Sequence, residues 1–114
     1  MQLKKTFTTS DGAEITYVDI GSGQPFLFIH GFGGFIELQL PLFEQLKTNF
    51  RCICFDQRGF GKTPASGEMG IYQSARDVKE LLEFLQLDNV LVLGYSMGAA
   101  VLFAYVEQFG CRYL

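Results

Sequence analysis

The chain of 114 residues contains no tryptophan, one histidine and three cysteines. So few histidines and cysteines, without ligand spacing, exclude the usual zinc sites, and we expect neither a metal nor a cofactor. Cys52 and Cys54 lie two apart on one predicted strand and point the same way, which is a poor geometry for a mutual disulfide. We therefore expect buried, reduced thiols and a cytoplasmic location.

Long apolar runs and an excess of positive charge are also missing. No run approaches the roughly 20 apolar residues that a membrane helix requires, and no apolar signal core follows Met1. The net charge is −3 and the isoelectric point is near 5.0, which argues against nucleic acid or an anionic membrane as a partner. With 48% hydrophobic residues, the chain can build a core, and we predict one domain over residues 1–114.

The polarity pattern predicts an N-terminal hairpin, residues 4–9 and 13–19 joined by an Asp-Gly turn. Apolar runs and helical periodicity predict the remaining elements: strands at 25–29, 51–55 and 89–93, and helices at 36–46, 71–85 and 97–108. Pro41 lacks a backbone donor, so its helix is expected to break there or to begin near Leu40. This order indicates an α/β fold with a mostly parallel sheet and helices on both faces.

Residues 94–98 read Gly-Tyr-Ser-Met-Gly and stand between a predicted strand and a predicted helix. A serine at the apex of such a turn is pushed out of the backbone above the helix N-terminus. Gly94 and Gly98 permit the turn, because a side chain at either position would collide with a neighbouring element. The free N–H groups of the helix N-terminus favour negative charge at this place. Ser96 is therefore a candidate nucleophile, and an ordinary helix-capping serine is the alternative.

Two other predicted strands end in loops rich in glycine and polar residues. The first loop reads His30-Gly31-Phe32-Gly33-Gly34, and the second reads Asp56-Gln57-Arg58-Gly59-Phe60-Gly61-Lys62-Thr63. With these three motifs, the chain resembles the N-terminal half of the α/β-hydrolase superfamily, over about residues 7–110. It is most similar to the small serine esterase, carbon–carbon hydrolase and peroxidase-like branches. Ligands of such sheets bind beyond the carboxyl ends of the strands, where all three motifs fall.

The resemblance implies the chemistry of the site. Ser96 would attack a small-molecule, ester-like substrate and form an acyl-enzyme. The backbone N–H groups of Phe32 and Met97 would form the oxyanion hole, a role in which side-chain identity matters little.

The resemblance also implies supporting roles for the other loop residues. His30 would shape the oxyanion loop rather than act as general base, and Gly31 would let that loop approach the serine closely. Asp56 and Arg58 would hold their own loop by an ion pair and by backbone hydrogen bonds.

The superfamily orders its triad as nucleophile, acid and histidine. Only 18 residues follow Ser96, none of them is histidine, and no aspartate follows Asp88. We therefore expect this chain to be the N-terminal portion of a serine hydrolase, with doubtful activity on its own; the alternative is a non-catalytic truncated module.

The strand from Asn89 to Leu93 carries no charge or proline at its free edge. We expect self-association through that edge or pairing with a missing C-terminal half.

Overall fold

A mixed sheet of five strands forms the middle of the computed structural model, which describes residues 3–114. The strands are β1 (Lys5–Thr8), β2 (Glu14–Gly21), β3 (Gln24–Ile29), β4 (Phe50–Phe55) and β5 (Leu91–Gly94), in the spatial order β1-β2-β4-β3-β5. β2 pairs antiparallel with β1 and β4, and β3 pairs parallel with β4 and β5, so that four of the five strands run in one direction. The predicted mostly parallel sheet with an N-terminal hairpin is confirmed.

Three α-helices connect these strands: α1 (Leu40–Leu46), α2 (Ile71–Phe84) and α3 (Met97–Phe109). A 3-10 helix, Ile36–Gln39, precedes α1, and Pro41 lies in the first turn of α1, where a missing N–H breaks no helical bond. The predicted start near Leu40 is confirmed. Within residues 3–114, no helix has the length and apolar character needed to cross a bilayer.

The strand that leads to Ser96 begins later than the pattern predicts. β5 spans Leu91–Gly94 instead of residues 89–93. Asn89 has a φ of +54°, outside strand geometry, and the Val90 N–H donates to the carbonyl of Tyr113 at 2.9 Å instead of to β3. The C-terminal end of the chain thus competes with the sheet for the first residues of the predicted strand.

The two faces of the sheet bury separate apolar clusters. On one face, side chains of the strands such as Leu27 and Ile53 pack against α2 and α3. On the other face, Cys52 and Cys54 pack with Phe43 of α1. Helices therefore cover both faces, and the two thiols are buried on the same side, as predicted. Burial of each large apolar side chain contributes roughly 1.5–3 kcal/mol to the free energy of unfolding.

A buried ion cluster centred on Arg58 joins the hairpin turn to α2. The Arg58 side chain is 1% exposed and donates from Nε and Nη2 to the two carboxylate oxygens of Asp77, each at 2.9 Å. From Nη1 and Nη2 it also donates to both oxygens of Asp11 at 2.8 Å, which holds the pKa of that carboxyl well below its usual range. Arg58 thus forms ion pairs as expected, but its partners lie in the hairpin turn and on α2 and do not include Asp56.

Removing the cation of this cluster tests its contribution to stability. Arg58→Met leaves the fully buried Asp77 carboxylate without its charge partner, so we expect the free energy of unfolding to fall by about 3 kcal/mol or more. The matched control, Arg76→Met, removes the same group from an exposed pair with Glu68 and should cost less than about 1 kcal/mol. Urea denaturation followed by circular dichroism measures both losses, and equal losses would contradict the prediction.

Candidate active site

Ser96 occupies a strained turn between β5 and α3. Its φ and ψ are +57° and −118°, a combination that side-chain-bearing residues rarely adopt. Tyr95 extends the sheet by donating its N–H to the carbonyl of Ile29 at 3.0 Å, and the Gly98 N–H donates to the carbonyl of Tyr95 at 2.8 Å. The turn is thus held on both sides of the serine by backbone hydrogen bonds.

Two glycines make this turn possible, as the motif predicts. A Cβ atom on Gly98 would overlap the carbonyl oxygen of Ile29, at the end of β3. A Cβ atom on Gly94 would overlap the carbonyl oxygen of Gly98. Both contacts are with backbone atoms, which cannot move aside as a flexible side chain can. Only glycine at these positions lets β5, α3 and β3 approach one another this closely.

The Ser96 side chain is free of the helix that follows it. Ser96 stands at the N-cap position of α3 but makes no side-chain capping bond, so the alternative of an ordinary capping serine does not describe this residue. The residue is exposed. Its hydroxyl therefore stands open to a ligand at the positive end of the α3 dipole.

The loop after β3 lies directly beside the serine. A Cβ atom on Gly31 would lie 3.1 Å from the Cβ of Ser96 and 3.0 Å from the carbonyl oxygen of Tyr95. Within residues 3–114, the backbone N–H groups of Phe32 and Met97 bond no backbone carbonyl. Each belongs to a residue adjacent in the chain to Gly31 or Ser96. The structure thus brings the two proposed oxyanion donors to neighbouring segments, with both donors unused.

His30 is enclosed by the protein and both of its ring nitrogens are occupied. The residue is 1% exposed; Nε2 accepts the backbone N–H of Gln57 at 3.0 Å, and Nδ1 lies 2.7 Å from the carbonyl oxygen of Gly31. An acceptor at Nε2 leaves the proton on Nδ1, which donates it to Gly31. Burial lowers the pKa of His30, which keeps the ring neutral. A ring so engaged has no nitrogen left to take a proton from Ser96.

The Asp56 carboxylate joins two loops and does not reach the serine. Its two oxygens accept the backbone N–H groups of Ile36 and Lys62, each at 2.9 Å. Gly61 is required beside it, because a Cβ atom there would overlap the carboxylate. The backbone hydrogen bonds expected of Asp56 are therefore present, and the residue is fully buried, away from any substrate.

Gln57 is a site-supporting residue that the sequence pattern did not single out. Its side chain links the carbonyl of His30 at 2.7 Å to the hydroxyl of Ser74, on α2, at 2.9 Å. The only signal in the sequence is its position directly after Asp56, and because glutamine is mostly an exposed residue, the residue type gives no reason to select it.

Exposed apolar side chains line the opening beside the serine. A cavity of about 130 Å³ lies against the loop from His30 to Gly34. Phe32 and Tyr95, which border it, are 82% and 65% exposed. Phe32 meets Phe60 edge to face, with the ring centroids 5.5 Å apart. The rim of the site can therefore contact an apolar group.

Comparison with known proteins gives one family. A family model described as alpha/beta hydrolase fold matches residues 24–112. The chain is 37% identical, over 107 residues, to the non-heme chloroperoxidase CPO-A1 from Kitasatospora aureofaciens; the match covers 90% of this chain and 38% of that protein.

Solved structures give the same result. An esterase from Exiguobacterium antarcticum superposes with a TM-score of 0.87 at 33% identity, over 96% of this chain and 41% of the esterase. A bromoperoxidase from Bacillus anthracis superposes with a TM-score of 0.80 at 33% identity, over the same shares of the two chains. The chain thus spans less than half the length of the relatives that it matches.

The backbone strain at Ser96 can be measured by comparing two variants that both lose the hydroxyl. Glycine tolerates a positive φ at no steric cost, whereas alanine does not. We expect Ser96→Gly to have a higher free energy of unfolding than Ser96→Ala by about 1 kcal/mol, the lower end of what such strain costs. Urea denaturation gives the difference. An alanine variant as stable as the glycine variant, or more so, would show that the turn is relaxed.

Proposed function

Because the chain belongs to the alpha/beta hydrolase fold family, we propose that it carries the nucleophile and oxyanion donors of a serine hydrolase acting on ester-like substrates. One observation carries the proposal. Ser96 is exposed at a strained strand-to-helix turn, uncapped, and beside a loop that brings a second unused N–H close to it. This is the arrangement required to hold a tetrahedral intermediate.

The proposed reaction has two halves, acylation of Ser96 and hydrolysis of the acyl-enzyme. In each half, one bond to the ester carbonyl carbon forms and another breaks. Ser96 Oγ bonds to the carbonyl carbon while its proton passes to a general base, and the carbonyl electron pair moves onto oxygen. The N–H groups of Phe32 and Met97 stabilise that oxyanion. Its collapse expels the alcohol, which takes up a proton, and leaves an acyl-enzyme that water hydrolyses.

The general base lies outside the residues that surround Ser96 here. His30 is the only histidine of the chain, and its two ring nitrogens are engaged. We propose that base and acid come from a segment equivalent to the remaining length of the relatives. Without that segment, the site at Ser96 retains only the oxyanion donors, which supply a small part of the rate acceleration of a complete enzyme.

A non-catalytic role in association is the second candidate, favoured by the free edge of β5. Among the residues that the structure describes, β5 pairs with β3 on one side only. Leu91, Leu93 and Phe103 of α3 are exposed at 52%, 44% and 75%. An apolar strand edge without charge or proline invites pairing. For the chain alone, we propose that the partner is β5 of a second copy, related by a two-fold axis.

We also propose a cytoplasmic location, supported by the two buried thiols that share one face of the sheet.

A fluorophosphonate tests the nucleophile directly. The Ser96 oxygen bonds to phosphorus and expels fluoride while the hydroxyl proton passes to solvent, and we expect the added mass on the peptide that contains residue 96 and none in Ser96→Ala. Ser66→Ala, which changes an exposed serine away from the site, should label normally. Turnover of p-nitrophenyl acetate by the chain alone should be very slow, because only the oxyanion donors remain and the base is missing. Labelling that persists in Ser96→Ala, or fast turnover that this variant abolishes, would contradict the respective expectation.

Sedimentation velocity over a range of concentrations tests the association. We expect dimers of the chain, and we expect Leu93→Lys to be monomeric because it places a charge on the β5 edge. Leu42→Lys, a matched change of an exposed leucine on α1, should leave the dimer intact. A parent chain that stays monomeric at high concentration would exclude the proposed second copy.

A further inference from the structure

Both polar ends of the Gln57 side chain are hydrogen-bonded inside the protein. The residue is 1% exposed. Its Nε2 donates to the carbonyl oxygen of His30 at 2.7 Å, and its Oε1 accepts the hydroxyl of Ser74 at 2.9 Å. A carbonyl can only accept, so these two contacts fix which end of the amide faces His30. The amide therefore ties α2 to the loop after β3.

The two shortest contacts of the His30 ring favour one tautomer over the other, and they outweigh a longer approach of 3.3 Å between Gln57 Nε2 and His30 Nδ1. With the proton on Nδ1, the ring donates to Gly31 at 2.7 Å and accepts from the Gln57 backbone N–H at 3.0 Å. With the proton on Nε2, the first contact would join two acceptors and the second two donors. Gln57 therefore sets the ring through its backbone N–H, and its side-chain amide holds the carbonyl of the same histidine.

The histidine in turn sets the orientation of one peptide group. The carbonyl oxygen of Gly31 accepts from His30 Nδ1 and from the Gly34 N–H, the latter at 2.9 Å. The peptide bond is trans, so the N–H of Phe32 points the opposite way from that carbonyl. The N–H is thereby turned away from His30 and Gly34, and no backbone carbonyl in the described part of the chain, residues 3–114, accepts it.

We propose that Gln57 is a positioning residue, which aims the Phe32 N–H at the developing oxyanion through His30 and the Gly31 carbonyl. This inference rests on the proposed function of Ser96. The buried side chain of Gln57, on the loop after β4, thereby determines the orientation of the Phe32 N–H, on the loop after β3. Pre-aimed donors are effective because they need not reorganise as charge develops.

The test compares Gln57→Met with Gln73→Met. Both remove one buried amide; that of Gln73 donates to Asp77 on the same helix, away from the loop after β3. We expect the second-order rate constant for reaction of Ser96 with a fluorophosphonate to fall about tenfold in Gln57→Met. The fall is smaller than the loss of a whole oxyanion donor, about 10²–10³, because the donor is misdirected and not removed. Gln73→Met should react like the parent.

Nuclear magnetic resonance supplies a readout that does not depend on catalysis. His30 is the only histidine, so its ring nitrogens give unambiguous signals. We expect a proton on Nδ1 in the parent chain, and we expect Gln57→Met to change both the His30 ring signals and the Phe32 amide signal. Gln73→Met should leave these signals in place.

The two readouts separate the possible failures. Unchanged His30 and Phe32 signals in a folded Gln57→Met chain would overturn the positioning role, whatever the labelling rate. A parent chain that does not react at Ser96 would overturn the proposed function, and the resonance comparison would still decide the role of Gln57. If Gln57→Met does not fold, Ser74→Ala replaces it, because it removes only the hydroxyl bound to Oε1; the expected fall is then about threefold.

Discussion

The close approach of α3 to the end of β3, at Gly98, is the constraint on which the site depends. Any side chain at this position would overlap the carbonyl oxygen of Ile29. Because the helix can lie so near the sheet, only Tyr95 and Ser96 separate the end of β5 from the start of α3. So short a connection forces Ser96 into a positive φ and pushes its side chain out of the backbone. The exposure of the hydroxyl is thus a consequence of packing between backbones.

The loops above the sheet are held by polar side chains that lie beneath them. Asp56 binds the amides of Ile36 and Lys62, and Gln57 binds the loop after β3 through His30. No buried side-chain nitrogen or oxygen within residues 3–114 lacks a partner. A fully satisfied network of this kind favours one loop conformation, because each alternative would leave a buried polar group unpaired. The inner side of the loops around Ser96 is therefore fixed by hydrogen bonds, whereas the side chains of Phe32 and Tyr95 are exposed.

The sequence predicts those parts of the structure that depend on local chemistry. The glycines around Ser96 and the Asp-Gly turn require particular backbone geometry, and both are found where the sequence places them. The alternation of side chains along a strand likewise predicts that Cys52 and Cys54 occupy the same face. Partners distant in the chain are not predictable in this way, since they depend on how the elements pack.

Three features show where this limit lies. Arg58 pairs with carboxylates from the hairpin and from α2, and no local pattern distinguishes them from other acidic residues. β5 begins late because the Val90 N–H donates to the carbonyl of Tyr113, which lies 23 residues further along the chain. Gln57 gains its role only once α2 has brought Ser74 beside it. The roles of Ser96, Phe32 and Met97 come from the resemblance, and they stay predictions.

The Arg58 cluster has a consequence for the order of folding. Its guanidinium joins positions separated by 47 residues on one side and 19 on the other. Closing loops of this length costs chain entropy before any contact compensates it, and contacts between distant positions slow the search for the native state. The hairpin, β4 and α2 must all be docked before the guanidinium can leave water with both carboxylates in place. Interactions that are absent from the transition state slow unfolding more than they speed folding, so a cluster that forms this late acts mainly on the unfolding rate.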